Sequence, residues 1–348
     1  MAVRSVETSA PVMRAAFLDG VETVPEGVLG GVVFGDRLDL QGGEGVPPVL
    51  TVPMARSAGE RFVETWTAGP PTRYGTRGNL VFAEDGEYLF MATTLPEAGE
   101  YDQSAESRYR QMFELINELG YAGMFRIWNY IGDLLTPLRS GLQIYQDFVK
   151  GRARAFAEYG GTSVMPAATG IGTRDGGVGL VALASRTGTA THVENPRQTP
   201  AYEYPQEYGP KSPSFARATV LTHGDDPATS AQSLFVSGTA SIVGHESVHP
   251  GDFAAQLETT LSNFEALLDG DNLARFNVHA HFDLSDARLM KVYVKHASDM
   301  DEARRTVRER VGSGPDVRYL NVDVCRDELL VEIEASFPHI PASSEGDE

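Results

Sequence analysis

Two glutamates near the C-terminus are spaced to share one face of a strand. Over residues 329–334 the two-residue period puts Leu329, Val331 and Ile333 on one side, and Leu330, Glu332 and Glu334 on the other. On a solvated face both carboxylates would be bland. Turned inward, a desolvated carboxyl can keep its proton near neutral pH, as acid catalysis requires. A second pattern concerns anions. Tyr145, Phe148, Val149, Arg152, Phe156 and Tyr159 fall on one stripe of a helical run, which places Arg152 on the apolar face while Arg154 points away. An inward guanidinium needs an anionic partner, either a structural Asp or Glu or a ligand. The single Cys325 excludes an intramolecular disulfide and any CxxC zinc or redox arrangement, and fits a reducing interior. It has no Cys–His signature, so covalent catalysis is not expected. His245 and His249 are spaced i, i+4, and His279 and His281 i, i+2, yet no HExxH or carboxylate set accompanies them. Neither a metal nor a cofactor is expected. The run TGIGTRDGG is Gly-rich but lacks GxGxxG and a following helix, which argues against nucleotide binding.

The elements that must position these residues recur in the same order twice. In the second half the periodicity predicts a strand over 233–244, a helix over 252–270, a strand over 288–297, a helix over 299–312 and two closing strands over 317–337 around a turn near Arg326 and Asp327. Phe253, Leu257, Leu261, Phe264 and Leu268 form the apolar stripe of the first of these helices. In the first half a strand over 87–96 is followed by a helix over 104–121, a strand over 124–133, a helix over 143–160 and closing strands over 164–172 and 177–185. The shared βαβαββ order points to internal duplication. It predicts an α+β protein of two antiparallel-rich sheets, each covered by two helices on one face, with a ligand-sized cleft between them. Residues 1–78, rich in Gly and Pro with short β-type runs at 29–34 and 49–52, read as strands added to the first half. The predicted division is an N-terminal half over 1–190, a Pro- and Tyr-rich linker over 191–212, a C-terminal domain over 213–338 and a disordered acidic tail over 339–348.

A chain of 348 residues is long enough for two such units. Its 29 Lys and Arg against 48 Asp and Glu give a net charge of −19, which disfavours nucleic-acid and membrane-surface partners. A small anion remains possible, because a few Arg side chains dominate the field inside a cleft. The start has no apolar run of signal-peptide length, and nowhere do about 18 consecutive apolar residues occur. A cytoplasmic protein is expected.

Several stretches carry a resemblance. SGTASIVG, QLETTLSNFEALL and the closing VEIEA resemble the RidA (YjgF) family. FRIWNYIGD, YQDFVKGRARAF and MPAATGIG, with PAYEYPQEYGPKSPSFARA after the joint, look like the chorismatases, which release pyruvate from chorismate. The resemblance spans roughly residues 78–337. It implies RidA-like halves packed as the subunits of a RidA trimer are, in a pseudo-trimer-like arrangement with the active site in the cleft. It also implies an acidic residue in the final strand that protonates the enolpyruvyl methylene, matched here by Glu332. Chorismate is a dianion, for which Arg152 and Arg217 are the candidate carboxylate binders. Tyr204, Tyr208 and Thr169 are candidate hydrogen-bonding residues.

Chorismatases divide by product, and Gly238 with Cys325 resembles the kind that forms 3-hydroxybenzoate. The other kind hydrolyses chorismate to 3,4-dihydroxycyclohexa-1,5-dienoate. Gly238 would leave room for substrate, and Cys325 would shape or polarise the site near the ring hydroxyl. An enamine deaminase or ligand-binding module of RidA type would need only the second-half resemblance. Duplication within the chain favours a monomer.

Overall fold

Five short strands come first in the computed structural model, which describes residues 12–21, 23–55, 60–71, 73–224 and 230–340. They are β1 (Arg14–Asp19), β2 (Gly30–Gly35), β3 (Asp39–Gly43), β4 (Val46–Pro53) and β5 (Phe62–Thr67). They do not extend the first half, as the composition suggested. They form a sheet of their own in the order β1-β5-β2-β4-β3.

The first half then runs β6 (Arg73–Arg77), β7 (Leu80–Glu84), β8 (Tyr88–Leu95), α1 (Asp102–Leu119), β9 (Gly123–Gly132), α2 (Ile144–Glu158), β10 (Ala167–Thr173) and β11 (Val178–Ser185). The second half begins with β12 (Thr189–Val193), β13 (Ala218–His223), β14 (Ala231–Ala240) and a small hairpin of β15 (Ile242–Val243) and β16 (Glu246–Ser247). It continues with α3 (Phe253–Leu268), the one-turn α4 (Gly270–Ala274), β17 (Leu289–Val294), α5 (Met300–Val311), β18 (Asp316–Asn321) and β19 (Val331–Ile340). Because β12 pairs with β13, the second sheet starts inside what composition marked as the first half and linker. His339 and Ile340, expected in the tail, end β19; the rest of that tail, 341–348, lies outside the described residues.

Duplication is visible in the pairing. The first half has the order β10-β9-β11-β8-β7-β6 and the second β18-β17-β19-β14-β13-β12, each with one parallel pair, β9/β10 and β17/β18. The N-terminal sheet repeats the inner part of this plan: β4-β2-β5-β1 again has its parallel pair, β2/β4, at the same place. Among its described residues it has no helix. Three related sheets thus stand where two were predicted.

Each helix-bearing half buries its helices in its own apolar cluster. The inner faces of all three sheets meet in a central cluster that includes Phe34, Trp66, Trp128, Tyr130, Phe235 and Tyr293. Four charges cross this centre. Lys291 Nζ of β17 lies 2.5 Å from Glu64 of β5 and 2.7 Å from Glu334 of β19, and Arg126 Nη2 of β9 lies 2.8 Å from Glu334. Two cations offset two carboxylates, the condition under which buried charge is tolerated.

Two features set the cleft. The edge strand β10 is stitched to the second half by side chains: Ala167 N–H donates to Thr219 Oγ1 (2.8 Å) and Ala168 N–H to Ser237 Oγ (2.8 Å). This covers an otherwise open edge. Helix α2 is docked by Asp147, whose carboxylate accepts from Tyr101 N–H (2.6 Å) and Asp102 N–H (3.1 Å) at the start of α1. Gly151 allows the close approach, since a Cβ there would fall 2.6 Å from the Asp102 carbonyl carbon.

Candidate active site

The predicted stripe of α2 faces inward. Phe148, Val149, Arg152 and Phe156 are buried, while Arg154 turns outward to pair with Asp102 and Glu106. Tyr145, at the same stripe's start, is half-buried and lines a cavity of about 270 Å³ between the halves. Arg152 lines it too. Its Nη2 donates to the Ser214 carbonyl (2.7 Å), its guanidinium lies over Tyr109 and Phe156, and its buried Nε–H has no partner among the described residues. Across the cavity Arg217, 2% exposed, donates from Nη2 to Tyr204 Oη (2.6 Å) and the Thr199 carbonyl (2.8 Å), and its Nε–H is likewise unpaired. Among the described residues neither Arg forms an ion pair with Asp or Glu. Beside Arg217 the buried Glu194 is pushed up to about 7, mainly by burial. Two desolvated cations, neither in a close ion pair, make a site for an anion.

Between them stands Glu332, 4% exposed. It makes no ion pair among the described residues; its Oε2 lies 4.0 Å from Cys325 Sγ. Burial, reinforced by the negative Glu334 on the same face, pushes its carboxyl up to about 8. Glu334 is buried as well, yet Lys291 and Arg126 overcome that burial and hold it down at about 2. The shared face read from the sequence thus carries one protonated and one ionised carboxyl at neutral pH. The alternation does not reach Leu330, which packs on the helix side with Val331 and Ile333, because the strand starts only at Val331. Burial and the Glu332 carboxyl push the Cys325 thiol up to about 12, so it is a neutral, weakly polar wall.

Known proteins resemble this chain over most of its length. Residues 64–184 match a family model described as chorismatase FkbO/Hyg5-like, N-terminal. The chain is 43% identical over 288 residues to a 3-hydroxybenzoate synthase of Streptomyces hygroscopicus, covering 82% of this chain and 84% of that one. It is 41% identical over 276 residues to a chorismatase of Streptomyces rapamycinicus, covering 79% and 82%. A crystal structure of a chorismatase superposes with a TM-score of 0.88 at 36% identity, covering 94% of this chain and 99% of that one. The chain belongs to the chorismatase family.

The family's cleft therefore gathers seven of the eight residues singled out from the sequence: Glu332, Cys325, Gly238, Arg152, Arg217, Tyr204 and Tyr208 line one cavity. Thr169 is not among its lining residues. It lies behind the wall, where its hydroxyl donates to Glu334 and accepts from Arg126 Nη2 (2.7 Å) and from Gly238 N–H (3.1 Å). Gly238 also differs from expectation. A Cβ there would fall 2.8 Å from Glu332 Cδ and closer still to Oε1, so the space it leaves is filled by the carboxyl itself.

Arg326 escaped the sequence reading, which took it for a turn residue. Its guanidinium stacks 3.7 Å from the Tyr208 ring centroid and donates from Nη1 to the His245 carbonyl (2.9 Å) and Ser247 Oγ (3.0 Å), adding a third cation to the wall. Its adjacency to Cys325 was the one available signal. Among the described residues no helix is long and apolar enough to cross a membrane, and no group of three or more His, Cys, Asp or Glu could hold a metal ion.

Proposed function

We propose that this chorismatase converts chorismate to 3-hydroxybenzoate and pyruvate. The observation that carries the reading is Glu332, a buried carboxyl that keeps its proton at neutral pH in a cavity also lined by two guanidiniums that form no close ion pair among the described residues. Arg152 and Arg217 pair with the two carboxylates of the substrate, and Tyr204 and Tyr208 complete the wall. Glu332 gives its proton to the enolpyruvyl methylene, which leaves the ether carbon an oxocarbenium-like centre and makes the ring C–O bond labile. The neighbouring ring hydroxyl oxygen then bonds to that ring carbon as its C–O bond to pyruvate breaks, closing an epoxide; the oxygen's original C–O bond opens, a ring carbon gives up a proton and the oxygen takes one, which leaves the phenol. The proton gained by the methylene is balanced by the one the hydroxyl gives up. No water is consumed.

The choice of product is supported by Gly238 and Cys325, and by the name of the relative at 43% identity. A neutral thiol 4.0 Å from the acid adds no ionised nucleophile to the cavity. Incubation with chorismate, followed by mass and absorbance analysis, is expected to give one aromatic monohydroxy acid per pyruvate. A non-aromatic diol, heavier by one water, would assign the chain to the hydrolytic kind instead.

A cytoplasmic setting is supported by the lone free cysteine. A monomer is supported by three sheets of one chain packing around a single centre, and light scattering tests it.

A further inference from the structure

Glu334 lines no part of the cavity, yet four donors from three strands hold its carboxylate. Arg126 Nη2 (2.8 Å) and Trp128 Nε1 (2.8 Å) reach it from β9, Lys291 Nζ (2.7 Å) from β17, and the Thr169 hydroxyl from β10. It sits two residues from Glu332 on the same face, about 7 Å away at the rise of a strand. A second link runs through bonds: Thr169 also accepts from Gly238 N–H (3.1 Å), and Gly238 is the residue on which the Glu332 carboxyl rests.

We propose that Glu334 is a positioning residue for the reaction, an ionised carboxylate fixed outside the cavity that keeps Glu332 in its proton-carrying form and ties β14 in place beneath it. This rests on the reading of Glu332 as the acid. Other groups face Glu332 from each side. Cys325, from the loop before β19, is a neutral thiol, and the phenol of Tyr145 from α2 is held well above its ordinary value by burial. Arg126 from β9 and Arg217 from the start of β13 favour the ionised form. Arg152 and Arg326 line the same cavity. Of the neighbours named, Glu334 is the carboxylate that acts on Glu332 as a negative charge; Glu64, farther across the centre, is itself pushed up by burial. Burial is the larger cause and would remain, but without Glu334 the pull of Arg126 and Arg217 would go less opposed and Glu332 would release its proton at lower pH.

The dependence of kcat/KM on pH tests this. At about 7 Å and an effective dielectric near 20, loss of the Glu334 charge should move the alkaline limb down by about one to two pH units. Glu334→Gln is expected to show that shift with the same product. Because it leaves a buried cation in excess, Glu334→Gln/Lys291→Gln is measured beside it; that variant keeps Glu64 against Arg126 and is expected to shift the same way. A folded variant whose limb stays within about 0.3 unit of the parent, while Glu332→Gln is inactive, overturns this inference alone. Near-parent activity in Glu332→Gln overturns the reading beneath it.

Discussion

Glu332→Gln is expected to lower kcat at pH 7 by about 10² or more and to leave KM within about threefold. The amide preserves the shape of a side chain wedged against Gly238 and removes only the transferable proton. The parent should show the matching pH dependence. A general acid works while protonated, so kcat/KM falls as pH rises through about 8. Stability separates lost chemistry from lost fold. The Glu332 value is raised above 4.5 in the folded chain, so the parent is unpenalised by this group below about pH 4.5 and loses stability as pH climbs towards 8. The amide variant is spared that loss, and its Tm at pH 9 should equal or exceed the parent's. Activity within about tenfold of the parent would be incompatible with the acid role.

Arg152→Met and Arg217→Met should each reduce kcat/KM by about 10² to 10³. Truncating one partner of a buried, hydrogen-bonded charge pair costs about 2–5 kcal/mol, and a tenfold change is about 1.4 kcal/mol. Arg152 has its stem buried among aromatic rings, which Met can fill, so most of its loss should appear in KM. Arg217 also holds Tyr204 Oη and the Thr199 carbonyl, so its replacement should affect kcat as well. Arg154→Met is the control. That side chain pairs with Asp102 and Glu106 on the outer face of α2, and its loss should leave kcat/KM within about threefold.

What was legible in the sequence was what short-range period encodes. The βαβαββ order, the inward face of α2 and the shared face of Glu332 and Glu334 follow from spacings of two and of three to four residues. What was hidden depended on pairings across the chain. Residues 1–78 show β-type runs, but nothing local says that β2 and β4 pair in parallel or that β5 sends Glu64 to a lysine 227 residues away. For the same reason one strand face could be recognised but not divided. The ionised state of Glu334 is set by Arg126 and Lys291 on two other strands, and the protonated state of Glu332 by the lack of such partners. Thr169, in a run read as a closing strand and singled out as a hydrogen-bonding residue, lies on β10 behind the site wall, where its hydroxyl binds Glu334 instead of lining the cavity. Arg326 looked like a surface turn because its stacking partner, Tyr208, is more than a hundred residues earlier.

Where the substrate lies in the cavity decides the roles of Glu332, Arg152 and Arg217. A crystal structure of Glu332→Gln with chorismate bound should show one carboxylate on Arg152, the other on Arg217, and the methylene carbon within about 3.5 Å of the amide that replaces the acid, as a near-attack arrangement requires. A ring bound with its methylene turned away from position 332, or with either guanidinium left facing empty space, would contradict it.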